Sequence, residues 1–371
     1  MTFTRRELGR LALALPGVAA LPRLAMAAPN SKYGGVQIGL ITYSFRQGVP
    51  KAEIVPDMAK LGLSEVELMS GDCEALAGIP QMAAGGGRGF GGGGGGRGRG
   101  PAGEVATAPN GCPVNTPAGQ HSAAEAGQAP ARGGGGGRGR GQMTPEQQQA
   151  QEEFQKKVKD WRMASTPETW KGVKKQFNDA GINVEILCYN MGMNTPDDEV
   201  DYAFHMAQGL GVKAISCSST VSFAKRVAPY AEKYKMIWSG HGHADIYDPE
   251  QFAKPETFEM LIGMNKYMGI NLDIGHFTAA GYDPVSFIEK HHDRITNLHI
   301  KDRNKPDKCG VSGNVAFGKG DTPIKEVLLL MKKNKLKFPA NIELEYQIPE
   351  GSDPVAEVGK CVEFCKAILM A

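Results

Sequence analysis

The sequence predicts an α/β chain folded as a single (β/α)8 TIM barrel. Three observations carry that prediction. Eight short apolar segments recur along the chain, and most are followed by an amphipathic stretch. Such alternation implies parallel strands joined by helical crossovers. The chain has 371 residues, of which roughly 280 remain once two non-core segments are set aside, a length that suits one barrel. The last four apolar segments each run into a carboxylate or an imidazole, and in a barrel those ends share one face.

The strands are expected, in order, at 36–41, 65–68, 183–187, 212–217, 235–238, 270–273, 295–300 and 340–344. Helical patterns are expected at 166–180, 221–233, 255–268, 284–291, 323–334 and 354–370, with a charged helix at 144–163. A doubly wound open sheet is the competing architecture. The count of eight favours closure into a barrel over residues 34–371.

Two segments stand outside this pattern. Residues 1–27 begin with Arg5-Arg6, continue through the apolar run 11–21 and end at Ala25-Met26-Ala27. A charged start, an apolar stretch too short to span a bilayer and a small-x-small site make a signal peptide. The paired arginines point to the twin-arginine export route, and so to a periplasmic or secreted protein. Residues 84–141 are dominated by Gly and Arg, as in Gly85-Gly86-Gly87-Arg88-Gly89. Such composition cannot bury enough apolar surface to offset its ordering entropy, so a disordered insertion is expected there.

Composition excludes several partners. The formal net charge is +2, too small to steer the body to nucleic acid. No apolar run after the signal is long enough to cross a membrane. Oligomerisation is left open. Seven cysteines, an odd number, are scattered along the chain. Cys361 and Cys365 lie four apart on a helical pattern, a poor geometry for a disulfide. The cysteines are therefore read mainly as small buried apolar side chains.

The chemistry concentrates at the later strand ends. They read Trp238-Ser239-Gly240-His241-Gly242-His243, Asn271-Leu272-Asp273-Ile274-Gly275-His276, Leu298-His299-Ile300-Lys301-Asp302-Arg303 and Asn341-Ile342-Glu343-Leu344-Glu345. Singly, each has an ordinary explanation: a hydrogen-bonded histidine, a helix cap at Asp273, rim charges at Glu343 and Glu345. Jointly they can supply nitrogen and oxygen ligands for one divalent cation with open positions for a substrate.

The sixth- and seventh-strand segments resemble the corresponding motifs of the sugar phosphate isomerase/epimerase family, a xylose-isomerase-like barrel. The opening Gly39-Leu40-Ile41-Thr42-Tyr43-Ser44-Phe45-Arg46 is similar to its first strand. Phe317-Gly318-Lys319-Gly320-Asp321 is similar to its short glycine loop before the seventh helix. The resemblance runs from Val36 to the C-terminus apart from the insertion. It implies a sugar substrate and one divalent ion, manganese first, with zinc, cobalt or magnesium as alternatives. It implies Asp273, His299 and Glu343 as ligands, and His276 at the substrate. Lys301 and Asp302 match positions behind the ligands or at the substrate, and Tyr43, His243, Arg303 and Glu345 join them as substrate candidates. The fifth strand departs from the pattern: His241 stands where epimerases of the group carry a glutamate, in a His-Gly-His like the His-Asn-His of other members. A neutral imidazole can still bind metal.

The reaction this implies is proton abstraction next to a metal-bound carbonyl, with Glu343 as first candidate base and His241 or Lys301 next. Isomerisation or epimerisation is the leading expectation. Elimination from a keto-sugar or 3-keto-glycoside follows, because one glutamate of the family's pair is missing. A catalytically silent sugar-binding barrel is the third. A nuclease on the same fold would want more ligands and a basic face, which the chain lacks. The eighth strand leaves two candidates, because Glu343 and Glu345 point to one face; Glu343 is favoured as the ligand, with Glu345 as its partner.

Overall fold

The computed structural model describes residues 28–82, 107–113, 116, 121–122 and 144–371. The expected signal peptide lies outside the described residues, as does most of the Gly/Arg insertion. Eight parallel strands close a barrel: β1 (Val36–Ile41), β2 (Glu65–Met69), β3 (Asn183–Cys188), β4 (Ala214–Cys217), β5 (Ile237–His241), β6 (Met268–Asp273), β7 (Ile295–Ile300) and β8 (Ala340–Ile342). Each pairs with its neighbour in sequence, and β1 pairs with both β2 and β8, so no edge of the barrel is left open. A two-residue strand, Lys32–Tyr33, adds antiparallel to β1 outside the ring.

The helices pack around it: α1 (Ile54–Lys60), α2 (Ser70–Leu76), α3 (Pro145–Ala164), α4 (Pro167–Asp179), α5 (Asp197–Leu210), α6 (Val221–Tyr234), α7 (Pro255–Met264), α8 (Ile274–Ala279), α9 (Pro284–His291), α10 (Ile324–Asn334) and α11 (Pro354–Met370). Their local causes are legible. In α4 the buried residues Trp170, Val173 and Phe177 recur at helical spacing, and Pro167 opens the first turn. Asp283 caps α9 and Asp353 caps α11 by accepting backbone N–H groups.

The strand interiors divide by parity. Leu40, Val66, Leu68, Ile270, Leu272, Leu298 and Ile300 belong to the apolar core that includes the helices. The alternate positions turn into the barrel and are polar: Glu65, Glu67, Ser216, Ser239, Asn271, Asn297, His299 and Asn341 are all buried. The barrel interior is thus a polar column, where branched apolar layers are the common filling.

Three expectations are corrected. The fifth strand begins at Ile237, two residues late, because Lys235 takes a left-handed conformation and ends α6. The eighth stops at Ile342: Glu343 N–H still donates to the Ile300 carbonyl, but Leu344 N–H goes to the Ser44 hydroxyl instead of a ladder carbonyl. The third correction concerns the insertion and the cysteines. Cys112 and Cys309 form a disulfide, with Cα atoms 5.5 Å apart. Around Cys112 the chain makes a tight turn, with Thr107 bridging Pro113 and Ala108 N–H donating to the Cys112 carbonyl at 2.8 Å. Residues 107–113 are therefore structured, contrary to the disorder expected throughout 84–141. The other five cysteines are buried and unpaired, as the reading of them as small apolar side chains requires.

Candidate metal centre at the end of the barrel

Four neighbouring strands deliver the candidate ligands. His241 ends β5 and Asp273 ends β6, while His299 lies one residue before the end of β7. Asp273 and His299 are register partners across the β6–β7 ladder, which places them side by side. Glu343 follows β8, its N–H held by the Ile300 carbonyl at 3.0 Å. Each occupies an inward position of its strand. One ligand atom from each of His241, Asp273, His299 and Glu343 lies within 4.8 Å of the others, and all four residues are buried. Ligand atoms at about 2.0–2.3 Å from one ion stand at most about 4.6 Å apart. Adjustments of a few tenths of an ångström would close the set.

The polar atoms in the cluster also fit a cation. His241 Nδ1 is buried without a hydrogen bond, His299 Nδ1 lies 3.3 Å from Glu343 Oε2, and Asp273 Oδ2 has the Lys301 ammonium beside it at 2.8 Å. A buried polar atom without a partner is costly, and a bound ion would satisfy His241 Nδ1. Burial, aided by His299 and His243, pushes the His241 imidazole well below its usual range, so it is a neutral donor with a free lone pair. His299 is fixed from behind: its Nε2 meets Glu67 Oε2 at 2.7 Å. Burial opposes its charging, but the Glu67 and Glu343 carboxylates overcome that and hold it well above the usual histidine range. A carboxylate behind a histidine fixes the ring's orientation, and an ion at Nδ1 would displace the proton there. Asp273 Oδ1 accepts the His276 N–H at 2.7 Å and caps α8, which leaves Oδ2 for the cluster.

Lys301 is the positive charge already present. Its Nζ lies 2.8 Å from Asp273 Oδ2 and 2.7 Å from both Glu343 Oε2 and Glu345 Oε2. Burial disfavours the ammonium, yet these three carboxylates push its pKa up. Its stem passes Gly275, where a Cβ would stand 2.6 Å from Lys301 Cγ. The glycine of the sixth-strand motif is thus room for the lysine.

The cluster opens onto a pocket walled by Tyr43, Asn190, Ser218, His243, His276 and Glu345. His243 Nε2 shares a hydrogen with Ser218 Oγ at 3.1 Å, and Arg46 lies over the Tyr43 ring. Two expected substrate residues sit elsewhere. The buried Asp302 carboxylate accepts N–H groups of Lys319, Gly320 and Thr322 at 3.1, 2.9 and 3.3 Å, so it clamps the glycine loop. Arg303 stands behind the wall, bonded to His276 Nδ1 and Ser312. The two glutamates left open by parity also separate: Glu343 belongs to the four-atom cluster, whereas Glu345 faces the pocket outside it.

Sequence reasoning missed Glu67. It is fully buried and gathers Asn297, Asn341 and Asn271 amides at 2.7, 3.1 and 3.3 Å, with the Ser216 hydroxyl, around the carboxylate that backs His299. Its one signal was a Glu-Val-Glu alternation in an otherwise apolar strand.

Against known proteins, residues 150–368 match the xylose isomerase-like TIM barrel family. Solved structures of similar fold include the IolI protein with a bound zinc atom, 11% identical with a TM-score of 0.52, covering 90% of this chain and 98% of that one. A xylose isomerase domain protein from Planctomyces limnophilus is 11% identical at a TM-score of 0.51, covering 91% and 98%. The probable 3-DHS dehydratase AsbF from Bacillus anthracis is 11% identical at a TM-score of 0.50, covering 90% and 97%. At such identities these likenesses show the fold alone. Comparison with curated proteins gives no match.

Proposed function

Because this chain belongs to the xylose isomerase-like TIM barrel family, we propose that it is a metal-dependent sugar isomerase or epimerase acting on a keto-sugar or sugar derivative. The observation that carries the reading is the buried convergence of His241, Asp273, His299 and Glu343 at the mouth of the barrel. Two imidazoles and two carboxylates suit manganese, zinc or cobalt better than a hard all-oxygen ion. A divalent ion held there would supply Lewis-acid polarisation of a substrate carbonyl or hydroxyl oxygen.

The chain's own residues divide the remaining work. Glu345 faces the pocket, lies outside the ligand set and is oriented by Lys301 at 2.7 Å and by the Asn314 amide at 3.4 Å. It takes the proton from the sugar carbon in this reading, in place of Glu343, which is held among the ligands. Lys301, gripped by three carboxylates, serves as a fixed positive charge and hydrogen-bond donor and not as a base. His243 and His276 meet substrate hydroxyls at the wall.

Elimination from a keto-sugar or 3-keto-glycoside is the second reading, and one observation favours it. The pocket wall carries a single carboxylate outside the ligand set, Glu345, where inversion at carbon calls for acid and base groups on opposite faces. The Cys112–Cys309 disulfide supports a periplasmic or secreted location, since such bonds persist in oxidising compartments.

The test is C–H exchange in D2O by metal-loaded protein with a panel of keto-sugars and 3-keto-glycosides. Exchange with an isomer or epimer as product supports the first reading, and released aglycone supports the second. Glu345→Gln should slow exchange on the order of 10²–10⁴ with metal still bound, while Glu343→Gln should weaken metal binding. Parental exchange by a metal-replete Glu345→Gln protein would remove Glu345 from the role. Asp273→Ala should abolish stoichiometric metal uptake measured by elemental analysis, and retention of metal there would show the centre is misplaced.

A further inference from the structure

The disulfide does more than close a loop. Cys309 sits at the tip of a hairpin that leaves β7, whose short strands Asp302–Arg303 and Asn314–Val315 pair antiparallel. The base of that hairpin builds the pocket. Arg303 reaches His276, Ser312 anchors Arg303 at 2.8 Å, and Asn314 reaches Glu345 at 3.4 Å. The insertion is therefore bonded covalently to a loop whose root holds two pocket residues.

A second anchor lies on a loop two strands away. His121, also in the insertion, stacks on Tyr247 with ring centroids 4.8 Å apart. Tyr247 belongs to the loop that follows β5, a few residues beyond His241 and His243. The two anchors are tied to one another, since Asn110 N–H donates to Ser122 Oγ at 3.3 Å. Cys112 is buried against Cys309 and its Sγ approaches the Lys308 carbonyl at 3.8 Å. Because β5, β6 and β7 are consecutive staves, the two loops these anchors hold flank the end of β6. There stand Asp273 and His276.

We propose that the described insertion residues 107–113, 116 and 121–122 form a disulfide-latched rim of the substrate site that limits how far a sugar's substituent extends past His276. This rests on the reading of the pocket as a sugar site. It gives the cysteine pair a purpose that a solvated insertion lacks, and it makes the finished mouth a product of an oxidising compartment. The latch closes when two thiols lose two electrons and two protons to that compartment's thiol-oxidising disulfide catalyst, a disulfide that is itself reduced to a dithiol.

The experiment uses the full chain and begins with peptide mapping without reductant, where a Cys112 peptide linked to a Cys309 peptide is expected. Amide hydrogen exchange is then compared for oxidised protein, the same protein reduced with dithiothreitol, and the Cys112→Ser/Cys309→Ser and His121→Ala variants. Opening the latch should raise exchange tenfold or more in both 242–254 and 304–315, with the barrel strands unchanged. In parallel, zinc-loaded protein is mixed with dipicolinate, and unlatched forms should surrender the ion at least several-fold faster at similar zinc affinity. Free thiols in the oxidised protein, or loop exchange that stays at the parental level on reduction, would overturn the proposal. Should no form bind zinc, the metal reading fails by itself, and loop exchange still decides the latch.

Discussion

Glu65 shows how far a single side chain can depart from its ordinary chemistry. It is buried inside the barrel, and neither carboxylate oxygen has a hydrogen-bond partner. Burial, with Glu185 and Glu67 nearby, pushes its pKa well above the usual carboxyl range. An acid whose folded pKa is raised contributes stability fully below the unfolded value, and that contribution is lost as pH rises through the folded one. Stability should therefore fall by up to about 1.4 kcal/mol per pH unit above the ordinary carboxyl range. Glu65→Gln should remove that slope and raise the Tm at neutral pH, because a neutral amide can donate to the unpartnered Asn341 Oδ1. Thermal melts from pH 4 to 8 check this, and a variant with the parental slope would show that Glu65 is not its source. Glu67 is the opposite case, fully hydrogen-bonded and placed to orient His299. Glu67→Gln should lower metal affinity about 10- to 100-fold, read by titration calorimetry, while the fold stays intact by circular dichroism.

Among elements, the loop between β7 and α10 depends on one carboxylate. Asp302 holds three backbone N–H groups of residues 319–322, and its buried position leaves them no alternative acceptor of equal strength. Asp302→Ala should cost about 1–3 kcal/mol through these unpaired donors, measured by urea unfolding. Substrate binding should weaken with it, since the neighbouring hairpin carries Arg303 and Asn314. An unchanged midpoint would mean that solvent replaces the clamp. The β5 and β6 segments make a related point. Gly240 admits Leu261 and Phe252 where a Cβ would stand 2.8 and 3.1 Å from them, so the glycine just before the His-Gly-His lets β5 pack tightly under α7.

For the whole molecule, a cation bound only by the folded state adds stability by mass action. At about 100 times its dissociation constant this is about 2.7 kcal/mol, seen as a rise in Tm with manganese or zinc that a chelator reverses. Asp273→Ala should abolish the rise, and a parental rise in that variant would place the ion elsewhere. Among the described residues no helix is long and apolar enough to cross a membrane.

Periodicity and strand-end chemistry made the barrel and four neighbouring candidate ligands legible from the chain alone. Strands β1 and β7 and helices α9 and α11 fall on the expected residues, because apolar alternation and cap residues are local signals. Strand ends share a face in any such barrel, so His241, Asp273, His299 and Glu343 could be grouped before their distances were known. What no local pattern carries is the identity of partners far apart in sequence. Glu67 meets His299 across 232 residues, and Cys112 meets Cys309 across 197. The separation of Glu343 from Glu345, and the turning of Asp302 away from the pocket, likewise depend on which donors the fold brings to each carboxylate. Local physics sets which residues become strands and which way they face; only closure of the ring decides what each inward side chain finds opposite it.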